Sequence, residues 1–171
     1  MADDGTLERI VAFIRSIGIE VNHGPMTRKT LVPGIDIVSG TLLIDEARMC
    51  MPADLLHEAA HIALTLPSAR AVLDGIADTS PAEEISAVAW TWAASRHLDI
   101  DPADTFHEEV ISGNGPTLLE NFLEGRYVGV PMLQYWGLAV DPRHSAAEGV
   151  APYPHMLRWL RDESRSFRRS G

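Results

Sequence analysis

Apolar residues first recur at helical spacing. Ile10, Phe13, Ile14 and Ile17 share one face, Thr6 is a candidate N-cap ahead of them and Gly18 suits the position just past a helix end. The pattern predicts a helix over 7–17, a short strand over 19–21, and an irregular connection over 21–33, where Gly24, Pro25 and Pro33 interrupt any period. The spacing then changes character. Ile35-Asp36-Ile37-Val38 and Thr41-Leu42-Leu43-Ile44 are β-rich runs on either side of Ser39-Gly40, which predicts a hairpin closed by a two-residue turn.

From residue 51 the sequence reads as helices. Met51-Pro52-Ala53-Asp54 places a proline near the first helical position and an acid in the first turn, opening a helix that ends before Pro67. Ser80-Pro81-Ala82-Glu83 is a capping box that opens a second helix running to about His97. Asp101-Pro102 starts another, Gly113-Asn114-Gly115-Pro116 interrupts the pattern, and 117–124 is a short helix closed by Gly125. Residues 132–138 read as helix, 141–154 as loop, and 154–163 as a last helix carrying Met156, Leu157, Trp159 and Leu160. No repeat or linker divides the sequence. The expectation is one α+β domain over 1–171: a helix, a small antiparallel or mixed sheet, then mostly helices. Residues 162–171, with Arg165, Arg168 and Arg169, form a basic tail.

Composition narrows the chemistry. A net charge of −10 with no basic stripe argues against a nucleic-acid partner. Apolar runs are too short to span a bilayer and no signal segment is visible at the N-terminus, so the expected location is the cytoplasm, with no membrane partner. The single cysteine, Cys50, rules out an internal disulfide and a thiolate cluster; any metal must be held by histidine and carboxylate.

That requirement is met by His57-Glu58-Ala59-Ala60-His61. Residues four apart on a helix project from one face, so two imidazoles address one point, as tetrahedral zinc requires. Glu58, one position on, points beside the metal, from where it can take a proton from a metal-bound water. A third ligand is needed, and Glu83 and Glu84 at the start of the next helix are the candidates. With Ile85, Val88, Ala89 and Trp92 taken as the core stripe, helical phase turns Glu84 inward and leaves Glu83 as the cap.

The run Leu55-Leu56-His57-Glu58-Ala59-Ala60-His61-Ile62-Ala63-Leu64, followed by Glu84-Ile85-Ser86-Ala87-Val88-Ala89-Trp90, resembles the ImmA/IrrE family of zincin-like metallopeptidases over roughly 30–97. Ile85 and Ser86 stand where that family usually has alanine and asparagine, and no helix-turn-helix module is visible. The resemblance implies a gluzincin-type site, with His57, His61 and Glu84 as Zn2+ ligands and Glu58 as general base. It also implies intracellular action on a peptide or protein substrate, often a repressor or another regulatory protein.

Other residues are weighed against that centre. Tyr127, Tyr135, His107, His144, Tyr153 and His155 are candidate oxyanion donors that the sequence does not rank. Asp74 and Asp78 are candidate carboxylates to orient an imidazole through its second nitrogen. His107-Glu108-Glu109 reads as a solvated helix start, Cys50 as an inert buried thiol, and the four tryptophans as core. The favoured function is an intracellular zinc metallopeptidase, with an extended substrate aligned by strand addition to the hairpin edge. The alternative is a catalytically inactive zincin-like regulatory or protein-binding module.

Overall fold

The computed structural model describes residues 5–75, 79–107 and 114–163. The basic cluster Arg165, Arg168 and Arg169, the loop residue Asp78 and the pair Glu108-Glu109 lie outside them.

Helix α1 (Thr6–Ser16) buries Leu7, Ile10, Val11, Phe13 and Ile14 on the face that the spacing marks. Gly5 takes the cap position, so Thr6 is the first helical residue. Gly18, at φ +99°, closes the helix: its N–H reaches Arg15 O and that of Ile19 reaches Ile14 O. Strand β1 (Val21–His23) begins where the strand expected at 19–21 ends, because its register is set by pairing with the hairpin.

The hairpin forms as expected. Strands β2 (Ile35–Val38) and β3 (Thr41–Ile44) pair antiparallel, with Val38 opposite Thr41. Ser39 and Gly40 both have positive φ, 50° and 73°, the conformation of a primed two-residue turn whose twist matches the strands. β1 adds parallel to β3, giving a three-stranded mixed sheet of order β1-β3-β2.

Helix α2 (Asp54–Leu64) carries the histidine motif, and every one of its residues is buried. It packs against the sheet, α1 and the long helix α4 (Pro81–Leu98). Fully buried alanines on both helices, Ala59, Ala60 and Ala63 on α2 and Ala87, Ala93 and Ala94 on α4, keep side-chain bulk low around the pair. The single turn α3 (Pro67–Arg70) follows α2. α4 opens on the expected capping box, Ser80 accepting from the Glu83 N–H and the Glu83 carboxylate accepting from the Ser80 N–H. It is buried all round from Ser86 to Ser95 instead of along one stripe, and Ile85, assigned to that stripe from the sequence, is 40% exposed.

The remaining helices are short: α5 (Pro102–Thr105), capped by Asp101, α6 (Gly115–Leu123), α7 (Val130–Tyr135) and the single turn α8 (Ser145–Glu148) within the expected loop. α7 starts two residues early and stops three short of expectation, because Gly129 and Gly137 both take positive φ and bracket it.

The largest departure is 154–163, which is not helical. Its backbone bonds to other elements: Leu157 N–H donates to Leu138 O, Arg161 N–H to Ala63 O, and Trp159 O accepts from Trp90 Nε1. Trp159 also packs edge-on against Trp90, centroids 5.3 Å apart, and against Phe13 at 4.9 Å. The apolar residues that imitate a helical face are used as anchors of an irregular strap. Among the described residues, no helix is long and apolar enough to cross a membrane.

Candidate metal centre

Burial of a whole helix is costly for its polar residues unless each finds a partner. His57, Glu58 and His61 are 3%, 4% and 7% exposed. The C-terminal end of α2 is fixed by guanidinium groups that satisfy its last carbonyls. Arg70 donates to Ile62 O and Ala63 O, and Arg161 donates to Leu64 O. This clamps the turn that carries His61.

The imidazoles meet as four-residue spacing requires. His57 Nε2 lies 3.2 Å from His61 Nε2, the rings edge to face. Glu84, from the first turn of α4, brings Oε1 to 3.0 Å from His57 Nε2 and Oε2 to 3.5 Å from His61 Nε2. His57, His61 and Glu84 are the group of three that could hold a metal ion among the described residues. Glu83 points away into the Ser80 capping box, and its bonds to the Ser80 backbone and hydroxyl hold its carboxyl below the usual range. Glu84, not Glu83, therefore faces the histidines.

The donor set fits zinc on its own dimensions. Tetrahedral N and O ligands at about 2.0–2.1 Å from zinc are separated from one another by about 3.3 Å. Here the two imidazole nitrogens are 3.2 Å apart, Glu84 Oε1 lies 3.0 Å from that of His57 and Oε2 3.5 Å from that of His61, and a set of one atom from each residue lies within 4.8 Å. His57 Nδ1 is buried without a hydrogen-bond partner among the described residues. Of the two expected carboxylates, Asp74 accepts from the Ser39 N–H at 2.6 Å instead, and Asp78 lies outside the described residues.

Electrostatics separates the roles further. Burial pushes the His61 imidazolium down, to a pKa of about 4, with His57 adding to the effect and Glu84 opposing it. A neutral imidazole is the form that binds metal. Burial opposes ionisation of Glu84 too, but its bond to His57 and the electrostatic influence of the two imidazoles hold it below the usual carboxylate range. Glu58 goes the other way. Desolvation, reinforced by Glu84, Asp54 and Asp36 against the opposing effect of His57, raises its carboxyl to about 7, and Oε1 is buried without a partner among the described residues. A carboxyl with a pKa near neutrality can both take and return a proton there.

The other sequence candidates fall elsewhere. Tyr153 is fully buried and donates to Ala89 O. His107, expected to be solvated, pairs at 2.6 Å with the buried Asp54 at the start of α2. His144 lies 3.4 Å from the Gln134 amide. Among the described residues, no hydrogen bond or ion pair joins any of the six oxyanion candidates to the metal-site cluster. Cys50 is exposed, not buried.

Two features escape sequence reasoning. One is the Asp54–His107 pair. The other is a bidentate bond from Arg28 Nε and Nη2 to Asp36, at 2.6 and 2.8 Å. Asp36 is readable as the acid in an otherwise apolar strand run, a position that demands a partner once buried. The same carboxylate accepts the Ile37 N–H, and Ile37 O accepts the Gly75 N–H at 2.8 Å. The outer edge of β2 is thus already satisfied at Ile37, which corrects the expectation of strand addition there.

No protein-family model, curated protein or solved structure matches the sequence.

Proposed function

We propose that this protein is a zinc-dependent hydrolase of the zincin type, acting on amide bonds of a peptide or protein. The observation that carries the reading is the convergence of His57, His61 and Glu84, from two helices, with one ligand atom from each within 4.8 Å of the others, beside the buried Glu58. A hairpin ahead of the motif helix and a glutamate opening the next helix support the ImmA/IrrE-like assignment made from the sequence.

His57, His61 and Glu84 would hold the ion. Bound zinc supplies Lewis acidity that polarises a carbonyl and makes water acidic near neutral pH. Glu58 would remove a proton from the attacking water and later deliver it to the departing amine, a role that its place on α2 between the two histidines supports. The low dielectric around α2 strengthens each of these interactions.

The test is Glu58→Gln. The purified variant should retain one zinc per molecule while hydrolysis of a peptide library falls by at least about 100-fold, the scale of a lost general base. Unchanged hydrolysis would overturn the role of Glu58. A cellular function that survives the substitution would favour the non-catalytic regulatory module instead.

A further inference from the structure

Beside Glu58 lies a groove of about 270 Å³, lined among others by Arg28, Lys29, Leu31, Asp36 and Asp74. It runs along the outer side of β2, where a hydrolase of this design would be expected to read its substrate through main-chain bonds. That option is largely closed. Ile35 N–H is bonded to Val32 O, Ile37 N–H to Asp36 Oδ1, and Ile37 O to Gly75 N–H. Recognition in the groove falls to side chains.

The side-chain inventory is lopsided. The Asp36 carboxylate, 7% exposed, already accepts from Arg28 Nε, Arg28 Nη2 and the Ile37 N–H. Asp74 accepts from the Ser39 N–H. Among the described residues, Arg28 Nη1 and the Lys29 ammonium have no hydrogen-bond or ion-pair partner. The Arg28 guanidinium group is held in plane by Asp36, yet the residue's side chain is 57% exposed. Apart from Glu58, which carries the chemistry, and the second oxygen of Asp74, the charged groups on offer are cationic N–H, held in place at one point by a buried acid. Such a donor pair matches a carboxylate, and charge-assisted bonds to it are about twice as strong as neutral ones. The whole molecule, at −10, repels anions, so any preference for one must come from a local site.

We infer that Arg28 and Lys29 form a carboxylate-recognising subsite, so that the substrate carries a carboxylate, from an acidic residue or a free terminal carboxyl group, close to the bond cleaved. The inference rests on the reading of Glu58 as the proton carrier, because the groove matters for specificity only if chemistry takes place at its end.

Calorimetric titration of the full-length protein, metal-free and again with one equivalent of zinc, tests it with three tripeptides. These are acetyl-Ala-Glu-Ala-amide, acetyl-Ala-Gln-Ala with a free C-terminus, and acetyl-Ala-Gln-Ala-amide as the uncharged control. One of the two acids should bind about tenfold more tightly than the control in both metal states, and which one identifies the source of the carboxylate. The advantage should disappear in Lys29→Gln and in Arg28→Gln, and return in part in Arg28→Lys. Lys29→Gln keeps the test decisive if loss of Arg28 unfolds the protein by stranding Asp36. Equal binding of all three, binding of none, or a preference that survives both substitutions overturns the assignment. Failure to bind zinc with the preference intact would sink the hydrolase reading alone; zinc binding without a preference would sink this inference alone.

Discussion

Gly129 sits over the carbonyl of Ile85: a Cβ built on it would lie 2.3 Å from Ile85 O. The glycine also has φ +80°, so both space and conformation forbid a side chain. α7 thereby presses on the first turn of α4, the turn that presents Glu84. Gly129→Ala should destabilise the protein by more than about 2 kcal/mol, lowering its melting temperature by roughly 4–8 °C. Zinc affinity should fall with it, because the displaced turn carries a ligand. Differential scanning calorimetry with and without zinc measures both.

Glu83 and Glu84 are adjacent but serve different structures, and their alanine variants should separate. Glu83→Ala removes half of the capping box and should cost about 1 kcal/mol of stability with zinc affinity retained. Glu84→Ala should leave the cap intact and weaken zinc binding by at least about 100-fold. Competition with a chromophoric chelator reads the affinities, and thermal melts read the stabilities.

The metal-free protein should carry a pH signature of Glu58. Its folded pKa of about 7 exceeds the ordinary value of 4.5, so between these limits the folded state binds more protons than the unfolded state. The Glu58 contribution to stability then falls as pH rises through that window, by on the order of 3 kcal/mol, and levels off above it. His61, depressed to about 4, acts in the opposite sense: its contribution is complete above about 6.5 and is lost as pH falls towards 4. The two effects nearly cancel in the wild type below about pH 6.5. Denaturant titrations from pH 5 to 8 on chelator-treated protein should therefore show Glu58→Gln uncovering a rise in stability with pH that the wild type lacks, and losing the wild type's fall between about 6.5 and 7.

The parts of this architecture legible in the sequence are those decided locally. Ser39-Gly40 dictates its turn whatever packs on it, and Ser80 with Glu83 closes a capping box within four residues. Four-residue spacing brings His57 and His61 together on any helix. Helical phase turns Glu84 inward correctly even though Ile85, one of the residues that set the phase, proves to be 40% exposed; Val88, Ala89 and Trp92 are enough. What is illegible depends on distant partners. Trp159 and Arg161 abandon a helical period because Trp90 and Ala63 offer better bonds across the fold. Arg28 finds Asp36, and Gly75 occupies Ile37, through loop geometry that leaves no periodic trace.

If two imidazoles of one helix and a carboxylate of another share a single zinc ion, its K-edge absorption in the protein loaded with one equivalent reads that arrangement directly. The expected spectrum is a four-coordinate shell of nitrogen and oxygen at about 2.0–2.1 Å with outer-shell scattering from two imidazoles, reduced to one in His61→Ala. A sulfur neighbour at about 2.3 Å, or a spectrum unchanged by His61→Ala, would contradict it.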